Sequence, residues 1–388
     1  MMAALFTQVG IWVRNLAILL FVVEKTGGDA LAVSGISVAE CAPIFLFSFI
    51  GGTFADRWQP KRTMVWCDLL SAGAIFVILM ALRCSTWQVV FCATLVSASL
   101  SQFSQPAGMK LCKVHVPEEQ MQARMSLWQM MMAAFMILGP ILGTFVFQQC
   151  GIYLSMVAVG VAFLCSALVL TLLPPDRMEQ KARDISLWHE MQLGFHYIWS
   201  HYILVALGGS FMAAGLALGF IHPLAIFLVT ERLGLGEHYL QWLFVANGAA
   251  MIIGGGVALV YSNRLTPHVL LMLGMGVMAA GICMMGWSTM FWLTLMAEFM
   301  IGLFMPAIHI GVNTIILNHA EEAFVGRVNG VLTTLCMGVM VITMSLVGLL
   351  KEQFSLCTIY QAAAALCIVG MLVMFPMCRM PVKVAEAE

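Results

Sequence analysis

Stretches of roughly twenty mostly apolar residues follow one another along almost the whole chain, separated by short turns that carry most of the charges. Wound as a helix, such a stretch rises about 30 Å, the thickness of the hydrocarbon layer of a bilayer. Few folds remain open to a chain of this pattern. In lipid every backbone N–H and C=O must find its partner inside the protein, so the segments cross as helices. The 388 residues are 62% apolar and 10% charged, with a mean hydropathy of +0.96, which is more apolar surface than a soluble core absorbs. Twelve spans are expected, at 3–24, 30–54, 63–83, 87–109, 124–148, 152–174, 202–228, 238–261, 267–288, 290–314, 326–350 and 354–378.

Thirteen of the eighteen Lys and Arg residues would then fall on one side of the membrane. That bias places both termini in the cytoplasm and requires an even number of spans. The expected location is a bacterial-type cytoplasmic (inner) membrane, crossed many times. Met1 runs almost directly into the first span, so no separate cleaved leader is expected. The stretch 175–201 is the one long polar segment. It reads as a linker whose aromatic residues Trp188, Phe195 and Trp199 form an amphipathic helix on the cytoplasmic surface. The linker divides the chain into a bundle at 1–174 and another at 202–380, with a short tail at 381–388. Internal repetition supports two halves of six spans. Pro106-Ala107 recurs as Pro306-Ala307. Glu118-Glu119 with Arg124 recurs as Glu321-Glu322 with Arg327, and Gly52 with its basic loop has an echo at Gly256 and Arg264.

The densest charge lies in Gly52-Thr-Phe-Ala-Asp56-Arg57-Trp-Gln-Pro-Lys61-Arg62, between spans two and three. Glycine permits close helix approach, Asp56 can pair across a helix end, and the basic residues hold the loop at the cytoplasmic surface. Asp68 follows one turn into span three. Together with Glu24-Lys25-Thr26-Gly27, Pro106-Ala107, Val116-Pro117-Glu118-Glu119-Gln120 and Gly326-Arg327-Val328, this loop resembles the major facilitator superfamily over essentially the whole chain. The nearest likeness is to its branch of macrolide-efflux proteins and the enterobactin exporter. The resemblance implies an all-α integral membrane protein of twelve transmembrane helices in two pseudo-symmetric six-helix bundles. It implies a secondary exporter driven by the proton gradient, with substrate bound between the halves. Proton-coupled exporters of the superfamily often carry Arg-x-x-x-Gly in helix 4, and here that motif is missing, with Ser97 and Leu100 standing there instead. The helix 5 motif of such antiporters is partial: Gly139-Pro140-Ile-Leu-Gly143 is present, while Phe135 and Thr144 occupy other expected glycine positions.

Ionisable residues inside a span cost several kcal/mol to insert and are therefore functional candidates. Arg14 shares one face of span one with Gln8 and Asn15, and Glu40 lies at similar depth in span two. They either neutralise each other as an ion pair or, with Glu40 loosely held, exchange protons and gate the cycle. Glu298 is the second candidate acid. Asp56, Arg57, Lys61 and Arg62, with Gly52 and Asp68, form the expected cytoplasmic latch. Trp12, Gln102, Phe103, Asn247, His309 and Asn313 join Gln8 and Asn15 as candidates for the substrate cavity. His222-Pro223 ranks lower, because a lone histidine on an apolar helix is more often a core residue.

The twelve cysteines show no metal-ligand spacing, and the chain has no phosphate loop and no catalytic constellation. Neither an enzyme nor a cofactor is expected. The expected partners are a small-molecule substrate, protons and the bilayer, with the chain acting as a monomer. The net charge of −1 speaks against nucleic acid. The alternatives are a lipid or lysophospholipid transporter and, from a different class, a non-transporting sensor or a channel.

Overall fold

A computed structural model describes residues 1–57, 59–83, 88–115, 118–173, 187–261, 265–321 and 324–379, with the backbone alone described at 48–57, 109, 112–115, 118–123, 187–190, 259–261 and 378–379. Among these residues the chain is helical throughout and contains no strand. The helices are α1 (Met2–Thr26), α2 (Ala30–Arg57), α3 (Pro60–Arg83), α4 (Val89–His115), α5 (Glu118–Thr171) and α6 (Leu187–Ser200). After them come α7 (Tyr202–Phe227), α8 (Leu240–Tyr261), α9 (Pro267–Trp287), α10 (Phe291–His319), α11 (Val325–Gln353) and α12 (Leu356–Met374). A π-helical turn, Leu228–Arg232, extends α7.

Ten stretches among the described residues are long and apolar enough to cross a membrane. One of them, Arg124–Thr171, runs for 48 residues, about twice the length a crossing needs. It turns back at Gly151, whose φ of 67° and ψ of 179° no side-chain-bearing residue adopts comfortably. Spans five and six are therefore one helix pair joined without a loop, at the turn the sequence places at 149–151. α4 is also long enough to cross. It falls outside the ten, and Ser97, Ser99, Ser101, Gln102, Ser104 and Gln105 dilute its apolar content.

α1 to α5 pack on one another, as do α7 to α12, and the two groups meet along α2 against α11 and α5 against α8. These two seams exchange places under a two-fold axis that carries span two onto span eight and span five onto span eleven. That is the parallel-repeat geometry of a two-bundle transporter. The first half has its own core, in which Val13, Ile18 and Val22 of α1 meet Ile75 and Ile78 of α3 and Met156 and Phe163 of α5. The core of the second half is not confined to it. Leu20 and Val23 of α1, with Ala30 and Val33 of α2, belong to the same apolar cluster as Leu224, Phe227, Leu228, Leu240 and Val347. The halves are thus fused by apolar packing at the end of the bundle that holds the α1–α2 turn.

α6 is the helix read from the polar linker. It lies along the first turns of α11, where Tyr197 stacks on Phe324 with ring centroids 4.3 Å apart. The Tyr197 hydroxyl accepts a 3.0 Å hydrogen bond from the Glu321 backbone N–H.

Candidate functional site

Just inside the apolar seal lies a cavity of about 180 Å³ bounded by both halves. α1 supplies Trp12, Asn15, Leu16 and Leu19, and α2 supplies Ile36, Ser37 and Glu40. From the other half come His222, Pro223, Ala225 and Ile226 of α7 with Leu240 and Phe244 of α8. The wall is mostly apolar and aromatic with a few polar groups, the make-up of a small-molecule site. Close packing of α1 on α5 fixes one side of it. A Cβ at Gly143 would stand 2.9 Å from the Trp12 carbonyl oxygen and 2.7 Å from Leu16 Cβ, so only glycine lets α5 seat there. The Gly139-Pro140-Ile-Leu-Gly143 motif therefore shapes the cavity through α1.

The ion-pair alternative for Arg14 and Glu40 is not what the structure holds. Arg14 is 3% exposed. Its Nη1 donates to Ser97 Oγ on α4, while Nε and Nη2 donate to Asn15 Oδ1 at 3.0 and 2.8 Å. Among the described residues Glu40 has neither a hydrogen-bond partner nor a salt bridge, and it faces the cavity. Arg14 and Glu40 still interact through space as opposite charges. The reason for the arrangement is local. Asn15 lies next to Arg14 in sequence and Ser97 projects from a neighbouring helix, so three of the guanidinium's five N–H donors are taken up on α1 and α4. Its end point, Ser97, is the α4 position at which the resemblance leads one to expect an arginine.

Glu298 of α10 is held differently. Asn247 Nδ2 donates to its Oε2 at 2.9 Å and also lies 3.4 Å from its backbone carbonyl. Asn247 follows Leu240 and Phe244 at helical spacing on α8, so this pair continues the cavity-facing stripe of that helix. The buried Tyr360 hydroxyl, in the electrostatic neighbourhood of Glu298, has no hydrogen-bond partner among the described residues.

The other candidates scatter. Gln8 Nε2 lies 3.2 Å from the Met132 sulfur and joins α1 to α5. Phe103 meets Phe47 of α2 with ring centroids 5.5 Å apart. Gln102 is half-buried on α4, and His309 and Asn313 are exposed one turn apart on α10. None of these five lines the cavity. His222, ranked low from sequence, does line it. The adjoining Pro223 was the available signal, since a proline inside a span releases backbone groups that a cavity can accommodate.

Of the expected latch, the side chains of Gly52, Asp56 and Arg57 lie outside the described residues. Lys61 Nζ donates to the Thr171 carbonyl at 2.9 Å and to the Leu173 carbonyl, so it caps the end of α5. Arg62 is exposed. Asp68 is not at the loop at all. It is 3% exposed inside the first bundle and accepts a 2.6 Å hydrogen bond from Ser166 Oγ. Among the described residues no group of three or more His, Cys, Asp or Glu side chains could hold a metal ion.

Two helical bundles related by a pseudo-two-fold axis, sealed at one end around a cavity they share, define a membrane transporter. The chain belongs to the Major Facilitator Superfamily, whose family model matches residues 1–224 and 207–387. It is 24% identical over 365 residues to the MFS-type transporter YkuC of Bacillus subtilis (strain 168), covering 91% of this chain and 84% of that one. A shorter match, 27% identical over 170 residues, joins 40% of this chain to 42% of the multidrug efflux pump Tap of Mycolicibacterium fortuitum. Among solved structures, the nucleoside transporter NupG superposes with a TM-score of 0.76 at 14% identity, over 98% of each chain. A POT family transporter in complex with 5-aminolevulinic acid superposes with a TM-score of 0.74 at 12% identity, over 98% of this chain and 96% of that one. At those identities the likeness is one of fold.

Proposed function

We propose that this protein exports an amphipathic small molecule, of the drug or siderophore class, by alternating access in exchange for protons. One observation carries the reading: Glu40 lies in the wall of a mostly apolar cavity shared by the two halves, without a bonded partner among the described residues. An acid in that position exchanges its proton whenever the cavity opens to water, and a bound amphipathic molecule would compete for the same space. Trp12 and Phe244 offer aromatic faces to a bulky apolar ligand, while Asn15, Ser37 and His222 offer hydrogen bonds. The match to the multidrug efflux pump Tap supports the substrate class. The Lys/Arg bias supports an orientation with both termini in the cytoplasm, the α1–α2 end outside and the α2–α3 loop inside. In that orientation the apolar seal closes the outer end, and Arg57, Lys61 and Arg62 lie at the cytoplasmic edge.

The test is transport by the purified chain in proteoliposomes with an imposed pH gradient, using a dye, a macrolide and a catecholate siderophore as probes. Gradient-dependent flux of at least one probe, against none in protein-free vesicles, is the expected result. Absence of flux for all three would remove the exporter assignment and leave the fold untouched.

A further inference from the structure

Asp68 stands apart from the cavity, and its surroundings suit a different task. Ser166 Oγ donates to Asp68 Oδ2 at 2.6 Å, Ser166 Oγ and Thr7 Oγ1 are 2.9 Å apart, and Thr7 Oγ1 donates to the Ala3 carbonyl at 3.1 Å. Two hydroxyl protons are available for three oxygen-to-oxygen contacts. With Asp68 ionised, only two of the contacts can be filled. Ser166 donates to Asp68, and Thr7 donates either to Ser166 or to Ala3. With a proton on Asp68, all three fill in one direction: Asp68 donates to Ser166, Ser166 to Thr7, and Thr7 to the Ala3 carbonyl. The observed distances admit either direction, since the ionised and the filled chain are the same set of atoms with their hydroxyls turned about.

The other flank of Asp68 opens on a pocket of about 10 Å³, lined also by Arg14, Ser71, Ser97 and Ser101. That is room for about one water molecule. The ionisable groups on this pocket are Arg14 from α1 and Asp68 and Cys67 from α3. α4 contributes hydroxyls and Leu100, and α5 contributes Phe163. Among the described residues Asp68 has no salt-bridge partner. An ionised carboxylate so placed keeps one hydroxyl donor and no bonded cation, whereas the neutral acid carries no charge to compensate and has an acceptor for its proton in Ser166.

We propose that Asp68 is a proton-binding site inside the first bundle, separate from the cavity, which loads one proton by reversing the Asp68–Ser166–Thr7 hydroxyl chain. On loading, a proton delivered from the pocket forms an O–H bond at Asp68 Oδ2, which donates to Ser166. The Ser166 hydroxyl rotates from Asp68 to Thr7, and the Thr7 hydroxyl points to Ala3. No other covalent bond changes, and the carboxylate goes from charge −1 to neutral. Unloading runs the same steps backward. The site rests on the proton-exchange reading only for its use in transport, since its proton binding is measurable without any substrate.

The experiment is pH-difference infrared spectroscopy of the purified full chain in detergent, without substrate and in sodium-free buffer. The wild type should show a protonated-carboxyl C=O band that grows on acidification. Asp68→Asn should lose that band, Glu40→Gln should keep it, and Ser166→Ala should shift its position because an acceptor is gone. An Asp68→Asn spectrum identical to the wild type would overturn the proposal. So would suppression of the band by added sodium, which would mark a cation site. Should Asp68→Asn fail to fold, an unshifted band in Ser166→Ala overturns it equally. A missing flux in the proteoliposome assay cannot imitate any of these outcomes, so the two readings fail separately.

Discussion

Each half of this transporter buries acidic groups among its spans, and the two halves hold them in different ways. In the second half Glu298 is gripped by the Asn247 amide at 2.9 Å. In the first half Glu40 faces the shared cavity without a bonded partner among the described residues, and Arg14 turns its bonded donors to Ser97 and Asn15. A carboxyl group fixed by an amide makes a good strut between helices. One left facing a cavity is free to respond to what enters it. On the proposed reading, the two halves share a fold and the proton-exchanging acid belongs to the first of them.

Four substitutions test that division, in falling order of effect. Glu40→Gln should abolish concentrative export driven by a pH gradient in proteoliposomes while leaving substrate exchange across the membrane intact. Full gradient-driven export by this variant would erase the distinction between the halves. Arg14→Met should lower stability in detergent by about 3 kcal/mol, because Ser97, Asn15 and Glu40 all lose a buried positive neighbour. Adding Glu40→Gln to it should recover about 1 kcal/mol if the two charges are coupled through space. A strictly additive double variant would sever them. Asn247→Ala should cost about 1 kcal/mol in thermal unfolding and leave the flux ratio with and without a pH gradient unchanged. A collapse of that ratio would make Glu298 a working acid and the two halves alike.

The smallest effect is expected at the closed end. Burial first, and the Glu24 carboxylate second, hold the Glu237 carboxyl above the usual carboxylate range. Since the folded protein binds this proton more tightly than the unfolded chain, the group's contribution is complete below its unfolded value and fades as pH rises through its folded one. Glu237→Gln should therefore flatten a shallow loss of stability as pH rises above the ordinary carboxylate range, as read by thermal unfolding at each pH. An unchanged slope would show that burial and the Glu24 carboxylate do not hold the Glu237 proton in the folded protein.

Much of the architecture was legible because lipid leaves a chain so few choices. Length and apolarity announce each span, and the turn at Gly151 shows as three residues between two long apolar stretches. α6 shows as aromatic residues spaced through a polar segment. The site was less legible, for a physical reason. The polar stripe of Arg14 and Asn15 on α1 is a property of one helix, and its face can be read from spacing. Which side chain the guanidinium meets depends on the rotation of α4, and Ser97 carries no local mark of that. Asp68 misled in the same way. Close to a charged loop in sequence, it is separated from it by the inward turn of α3. His222 was passed over because an isolated histidine on an apolar helix has no pattern to argue from until α1 and α2 are set against it.

The seal between the halves also sets a threshold. Leu20, Val23, Ala30 and Val33 are shared with the core of the second half, and parting them would return their apolar surface to water at a cost on the order of 5 kcal/mol. A two-state equilibrium biased by that much keeps the opposite state to well under one part in a hundred, and a ligand reverses it only by favouring that state about ten-thousandfold. Selectivity in such a machine need not reside in the fit of the cavity alone. A molecule that binds both states equally well, however tightly, would occupy the protein without ever turning it over.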